Sequence, residues 1–146
     1  MVSQPQPHAP DEHSAPRHPD PLIITMPAEA SNLAGSRNRL REWLTAAGVA
    51  PQCCADILLA VGEATANATE HAVVDAPGLV EITVGARFSG DRLQITVSDN
   101  GRWKTAPVPS GHRGHGIPVI NALVDSVEME TGISGTTVTM IKDLAR

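Results

Sequence analysis

GEATANATEHA, residues 62–72, sets Glu63, Asn67, Glu70 and His71 among small residues in an otherwise helical run. Pro51 suits the first turn of a helix, and Asp75-Ala76-Pro77-Gly78 breaks one, so the spacing predicts a single long helix between them. Wound at about 100° per residue, Cys54, Leu58, Val61, Thr65, Ala68 and Ala72 fall on one stripe. Glu63, Asn67 and Glu70 then lie together on the opposite side, with His71 at its edge. A merely solvated face carries Lys, Arg and Glu; a single Asn among Ala, Thr and Gly calls for another use.

Outward from this helix, Leu22 to Thr25 reads as a short strand closed by Met26-Pro27, and Leu33, Leu40 and Leu44 mark an amphipathic helix that Gly48 stops. LVEITVGARF and DRLQITVSD alternate apolar and polar residues across Ser89-Gly90, an antiparallel hairpin. Residues 101–116 are rich in Gly, Pro and charge and end in GHRGHG. IPVINALVD resumes as a short helix, and SVEME and TTVTMIK form strands around a turn at residues 131–135. The sum is a two-layer α/β (α+β) sandwich, a mostly antiparallel, mixed sheet covered by helices on one face.

At 146 residues and 41% hydrophobic content the chain is sized for one domain with a real core. Residues 1–21 hold six of the twelve prolines and almost nothing apolar, which reads as a disordered Pro/His-rich tail ahead of a domain spanning 22–146. The tail histidines His8, His13 and His18 recur every five residues without a fixed geometry for a metal. A net charge of -5 and 2% aromatic content argue against direct nucleic-acid binding. No apolar run reaches the roughly 20 residues that span a bilayer, and no secretory signal opens the chain, so a cytoplasmic protein is expected. The two cysteines, Cys53 and Cys54, are adjacent, and at least one of them reads as a small buried residue.

Three further elements follow the helix in order: Asp99-Asn100-Gly101 at a strand end, GHRGHG leading into a helix, and Gly135-Thr136-Thr137 opening the last strand. With the ExxxN pair Glu63 and Asn67, they resemble the four boxes of the Bergerat ATP-binding fold of gyrase-type ATPases, histidine kinases and MutL proteins. The resemblance runs from about Leu22 to the C-terminus. Within that superfamily EATANATEHA, SDNG, GHGIPVINALVD and GTTVTM look most like the anti-sigma factor serine kinases of the RsbW and SpoIIAB type.

The resemblance implies ATP and Mg²⁺ as cofactors. Asn67 would contribute its amide oxygen to Mg²⁺, and Glu63, one turn earlier, would accept the proton of an attacking hydroxyl. Asp99 would accept a hydrogen bond from the adenine amine, with Gly101 allowing the backbone close to the base. Gly114 and Gly116, with Arg113 and the helix starting at Ile117, would face the phosphates. Thr136 or Thr137 would add a hydroxyl, and His71 would support the phosphate region. Arg102 to Arg113 would form a short lid containing Trp103. The partners implied are a sigma factor, an anti-anti-sigma protein with a STAS domain, and a second copy in a homodimer. Two other functions fit the same boxes: a non-catalytic ATP-binding regulator and a stand-alone histidine-kinase-like module.

Overall fold

Alternation builds the sheet. In β4 (Arg92–Asp99) Leu93, Ile95 and Val97 are buried and the residues between them are not, and Ile82, Val84 and Ala86 of β3 (Glu81–Ser89) repeat the pattern. Val138 and Met140 do the same in β7 (Gly135–Asp143). With β1 (Leu22–Pro27) and β6 (Ser126–Gly132) these strands form a five-stranded sheet in the order β1-β3-β4-β7-β6. Every pairing in it is antiparallel, so the parallel component of a mixed sheet is absent among the described residues. The computed structural model describes residues 18–73, 80–103, 117–132 and 135–144.

The helices α1 (Ala30–Ala46), α2 (Pro51–His71) and α3 (Ile117–Leu123) pack on the buried face of this sheet, with α2 between α1 and α3. Helix α1 has no side-chain cap and no acidic residue in its first turn. Packing holds it instead: Leu40 and Leu44 are fully buried, worth about 1.5–3 kcal/mol each, which exceeds the ~1 kcal/mol of a good cap. Gly48, at φ 85°, ends it in the left-handed conformation that glycine adopts most readily. Gly90, at φ 61°, does the same for the β3–β4 turn. No described helix is long and apolar enough to cross a membrane.

Two features differ from the sequence reading. Helix α2 ends at His71, and Ala72–Val73 leave it as a two-residue strand, β2, paired antiparallel with β5 (Arg102–Trp103). His18 to Pro21, expected in the tail, lie against the domain: the His18 ring stacks on Phe88 at 5.1 Å, Phe88 stacks on Trp43 at 4.9 Å, and Trp43 Nε1 donates to Asp20 O at 3.0 Å. The only Phe in the chain and one of its two Trp residues thus gather where α1 ends and the β3–β4 hairpin turns. The rest of the expected tail, residues 1–17, lies outside the described residues.

Candidate functional site

The core-facing pattern of two strands ends in polar residues. Asp99 continues the buried series Leu93, Ile95, Val97 at the end of β4, and Thr136 precedes Val138 and Met140 at the start of β7. They are register partners, and both are buried, at 8% and 1% exposure. A carboxylate and a hydroxyl turned toward the helix layer are costly unless partnered. Asp99 Oδ1 accepts the N–H of Gly101 at 3.0 Å, whereas Thr136 Oγ1 has no hydrogen-bond partner among the described residues. Thr137, half-buried, faces the other side of the sheet opposite Ser98.

Gly135 brings the two strands close. A Cβ at this position would stand 2.5 Å from the backbone oxygen of Asp99, well inside the distance that real Cβ atoms keep. Gly101, buried as well, completes the turn that follows Asp99.

Helix α2 is brought to this strand end by the β2–β5 ladder. Ala72 pairs with Trp103 and Val73 with Arg102, so the C-terminal end of α2 is tied two residues beyond the Asp99–Gly101 turn. Asn67 lies just over one turn before that end and is buried; Glu63 lies one turn earlier and is half-buried. His71, the last helical residue, keeps 13% of its side chain exposed and stands 3.8 Å from Glu70 Oε1, on a Glu70 side chain that is 72% exposed.

The polar side expected for α2 is therefore split. Of Glu63, Asn67 and Glu70, only Glu70 projects fully into solvent. The cause is that α2 packs against α1, α3 and the sheet together, so its buried arc takes in Ile57, Ala60 and Ala64 as well as the expected stripe. Asn67 falls within that widened arc.

Glu63 also borders a groove of about 960 Å³ between α1 and α2, lined by Arg37, Arg41, Leu33, Leu58 and the 54% exposed Leu59. Sequence reasoning did not single out Arg37 or Arg41, because basic residues spaced four apart on a helix look like an ordinary solvated face. Arg113, Gly114 and Gly116, and the part of the expected lid from residue 104 onward, lie outside the described residues. Of Arg102 and Trp103 the backbone pairing alone is described.

The residues present fit an adenine nucleotide with a divalent cation. The fit rests on a buried hydroxyl that has no partner among the described residues, beside a buried carboxylate, in a strand crossing that admits no side chain at Gly135. A neutral amide one helical turn from a carboxylate is the kind of donor that joins a cation already held mainly by phosphates.

Comparison with known proteins identifies the family. The sequence pattern of the histidine kinase-like ATPase domain matches residues 26–142. The serine-protein kinase RsbW of Bacillus cereus (strain AH187) is 31% identical over 140 residues, covering 86% of each chain, and that of Bacillus mycoides (strain KBAB4) is 31% identical over the same span. The solved structure of the RsbU and RsbW domains of Rv1364c from Mycobacterium tuberculosis superposes with a TM-score of 0.71 at 32% identity, over 88% of this chain and 33% of that longer one. The histidine kinase domain of the blue-light activated kinase EL346 from Erythrobacter litoralis shares the fold alone, with a TM-score of 0.57 at 21% identity over 92% of this chain and 68% of that one. With the family pattern spanning β1 to β7 and relatives of this identity across most of its length, the chain belongs to the histidine kinase-like ATPase domain family, among the RsbW-type serine-protein kinases.

Proposed function

We propose that this protein is a cytoplasmic, ATP-dependent anti-sigma factor that holds a sigma factor inactive and phosphorylates a serine of an anti-anti-sigma protein of the STAS type. The observation that carries the reading is the juxtaposition of two buried strand-end groups, Asp99 and Thr136, with a helix end bearing Glu63 and Asn67 one turn apart.

Bound ATP supplies the transferable phosphoryl group, and Mg²⁺ neutralises its charge. The chain's own residues bind and orient. Asp99, with Oδ1 fixed by Gly101, receives the adenine amine, a donor that guanine lacks at that position. The Thr136 hydroxyl, buried and without a hydrogen-bond partner among the described residues, would gain one on nucleotide binding and so contribute to affinity. Asn67 would contribute its amide oxygen to the cation. By the family motif, Arg113, Gly114 and Gly116 would bind the phosphates, and His71 would support that region.

Glu63, half-buried at the edge of the α1–α2 groove, takes the proton of a serine hydroxyl that approaches through that groove. The product phosphate brings about 1.5–2 negative charges next to Glu63, on a chain of net charge -5, and like-charge repulsion then releases the partner. A homodimer suits the exposed edge strand β1, where Ile23 is 67% exposed.

The test is capture of the tagged protein from its native cells in Mg²⁺ and ATP, with mass spectrometry of what is retained, repeated with Glu63→Ala. The reading expects a sigma factor and a STAS protein in both captures, and phosphorylated STAS protein with the wild type alone. Phosphorylation at the wild-type rate by Glu63→Ala would remove Glu63 from its role, and retention of neither partner would remove the sigma-factor switch.

A further inference from the structure

Asp99 ends a strand, yet it is not the last residue held there. The next residue, Asn100, is exposed, and its side-chain Oδ1 accepts the backbone N–H of Glu81 at 2.8 Å. The Asn100 N–H in turn donates to Glu81 O at 3.3 Å. These two bonds prolong the β3–β4 ladder one step past the Ile82–Asp99 pair, with a side-chain amide oxygen standing where a backbone carbonyl would otherwise accept.

The consequence falls on Asp99. Its backbone is held from both sides, by the bonds of the next residue, Asn100, to Glu81 of β3 and by the close approach of Gly135 from β7. Its Oδ1 is already engaged by Gly101 N–H, so the direction of the carboxylate follows the turn 99–101, and Asn100 is the middle of that turn. An Asn in an Asp-Asn-Gly turn ordinarily bonds its own neighbouring backbone or water. Here it reaches a residue 19 positions away.

We infer that Asn100 is a positioning residue for recognition of the purine base: it sets the aim of Asp99, and through it the preference for ATP over GTP. The inference rests on the nucleotide reading of Asp99 given above. Asn100 acts through Asp99 and not on the nucleotide itself. Its bond to Glu81 N–H lies at the surface, so its loss leaves a solvated donor rather than a buried orphan and leaves stability little changed.

The experiment measures dissociation constants of ATP and GTP with Mg²⁺ by titration calorimetry for the wild type, Asn100→Ala and Asn100→Asp, with thermal unfolding of each. Asn100→Ala is expected to weaken ATP by about five- to tenfold and GTP by less than about twofold, with little change in unfolding temperature. Asn100→Asp keeps an acceptor at the same place and is expected to recover most of the ATP preference. Equal weakening of both nucleotides, an unchanged ATP to GTP ratio, or no recovery in Asn100→Asp would overturn the inference while leaving ATP binding by the wild type intact. A wild type that binds no ATP would instead overturn the nucleotide reading, and Asn100's role with it.

Discussion

Gly135→Ala is the sharpest perturbation of the strand crossing beneath the proposed base site. The added Cβ would stand 2.5 Å from Asp99 O, and real Cβ contacts stop at about 3.0 Å, so the two strands must part by at least about 0.5 Å. The atom met is backbone and not the end of a flexible side chain, so no rotamer change relieves it. Overpacking of this kind costs about 1–3 kcal/mol. For a domain of this length each kcal/mol is worth roughly 3–5 °C, so a fall of at least about 3 °C in unfolding temperature is expected. The same displacement turns the Asp99 carboxylate, and ATP affinity should fall about tenfold, in line with the steep penalty for small misplacements of recognition groups.

The assay pairs thermal unfolding with calorimetric titration of Mg²⁺ and ATP, and Gly35→Ala is its control. Gly35 lies in α1 with nothing within 4 Å of a new Cβ. Replacing a helical glycine there should stabilise by about 0.5–1 kcal/mol and leave ATP binding unchanged. If Gly135→Ala unfolds at the wild-type temperature and binds ATP as tightly, the reasoning from the strand crossing is wrong.

Three other outcomes are expected. Thr136→Val deletes a buried hydroxyl with no partner among the described residues, so the free protein should gain up to about 1 kcal/mol in denaturant unfolding while ATP binding weakens several-fold; a loss of stability would mean that the hydroxyl is partnered. Asn67→Ala should abolish the tightening of ATP binding by Mg²⁺, read by titration with and without the cation, and lower stability by about 1–2 kcal/mol because the amide is buried. Burial raises the Cys53 thiol above its ordinary value of 9.0, with nearby Lys142 opposing the shift. A raised thiol pKa stabilises the fold below pH 9.0 and the contribution is lost as pH rises through the folded value, so iodoacetamide should label Cys53 slowly at neutral pH, and Cys53→Ser should flatten the alkaline decline in stability.

Much of this fold was legible because its signals are local. Pro51, the apolar stripe from Cys54 to Ala72 and the alternation of ITV and LQITV each point to one element, and the structure has those elements. The burial of Asn67 was not legible, since a helical wheel assumes one neighbouring layer and α2 has packed neighbours on three sides. The β2–β5 ladder is two residues long, too short for any periodicity to show. His18 reads as tail by composition; only the stack through Phe88 to Trp43, residues 70 and 25 positions away, draws it onto the domain. At the site, the motif spacing brought Asp99, Thr136, Asn67 and Glu63 into view, but the groove arginines Arg37 and Arg41 and the reach of Asn100 to Glu81 depend on tertiary placement that no motif carries.

Phosphoryl transfer to a partner's serine is tested by incubating the protein with Mg²⁺ and γ-³²P-labelled ATP together with the STAS-domain protein captured from its own cells. Label is expected on that protein as acid-stable phosphoserine, absent with Glu63→Ala. Acid-labile label on a histidine, or none on the STAS protein from a chain that binds ATP, would contradict it.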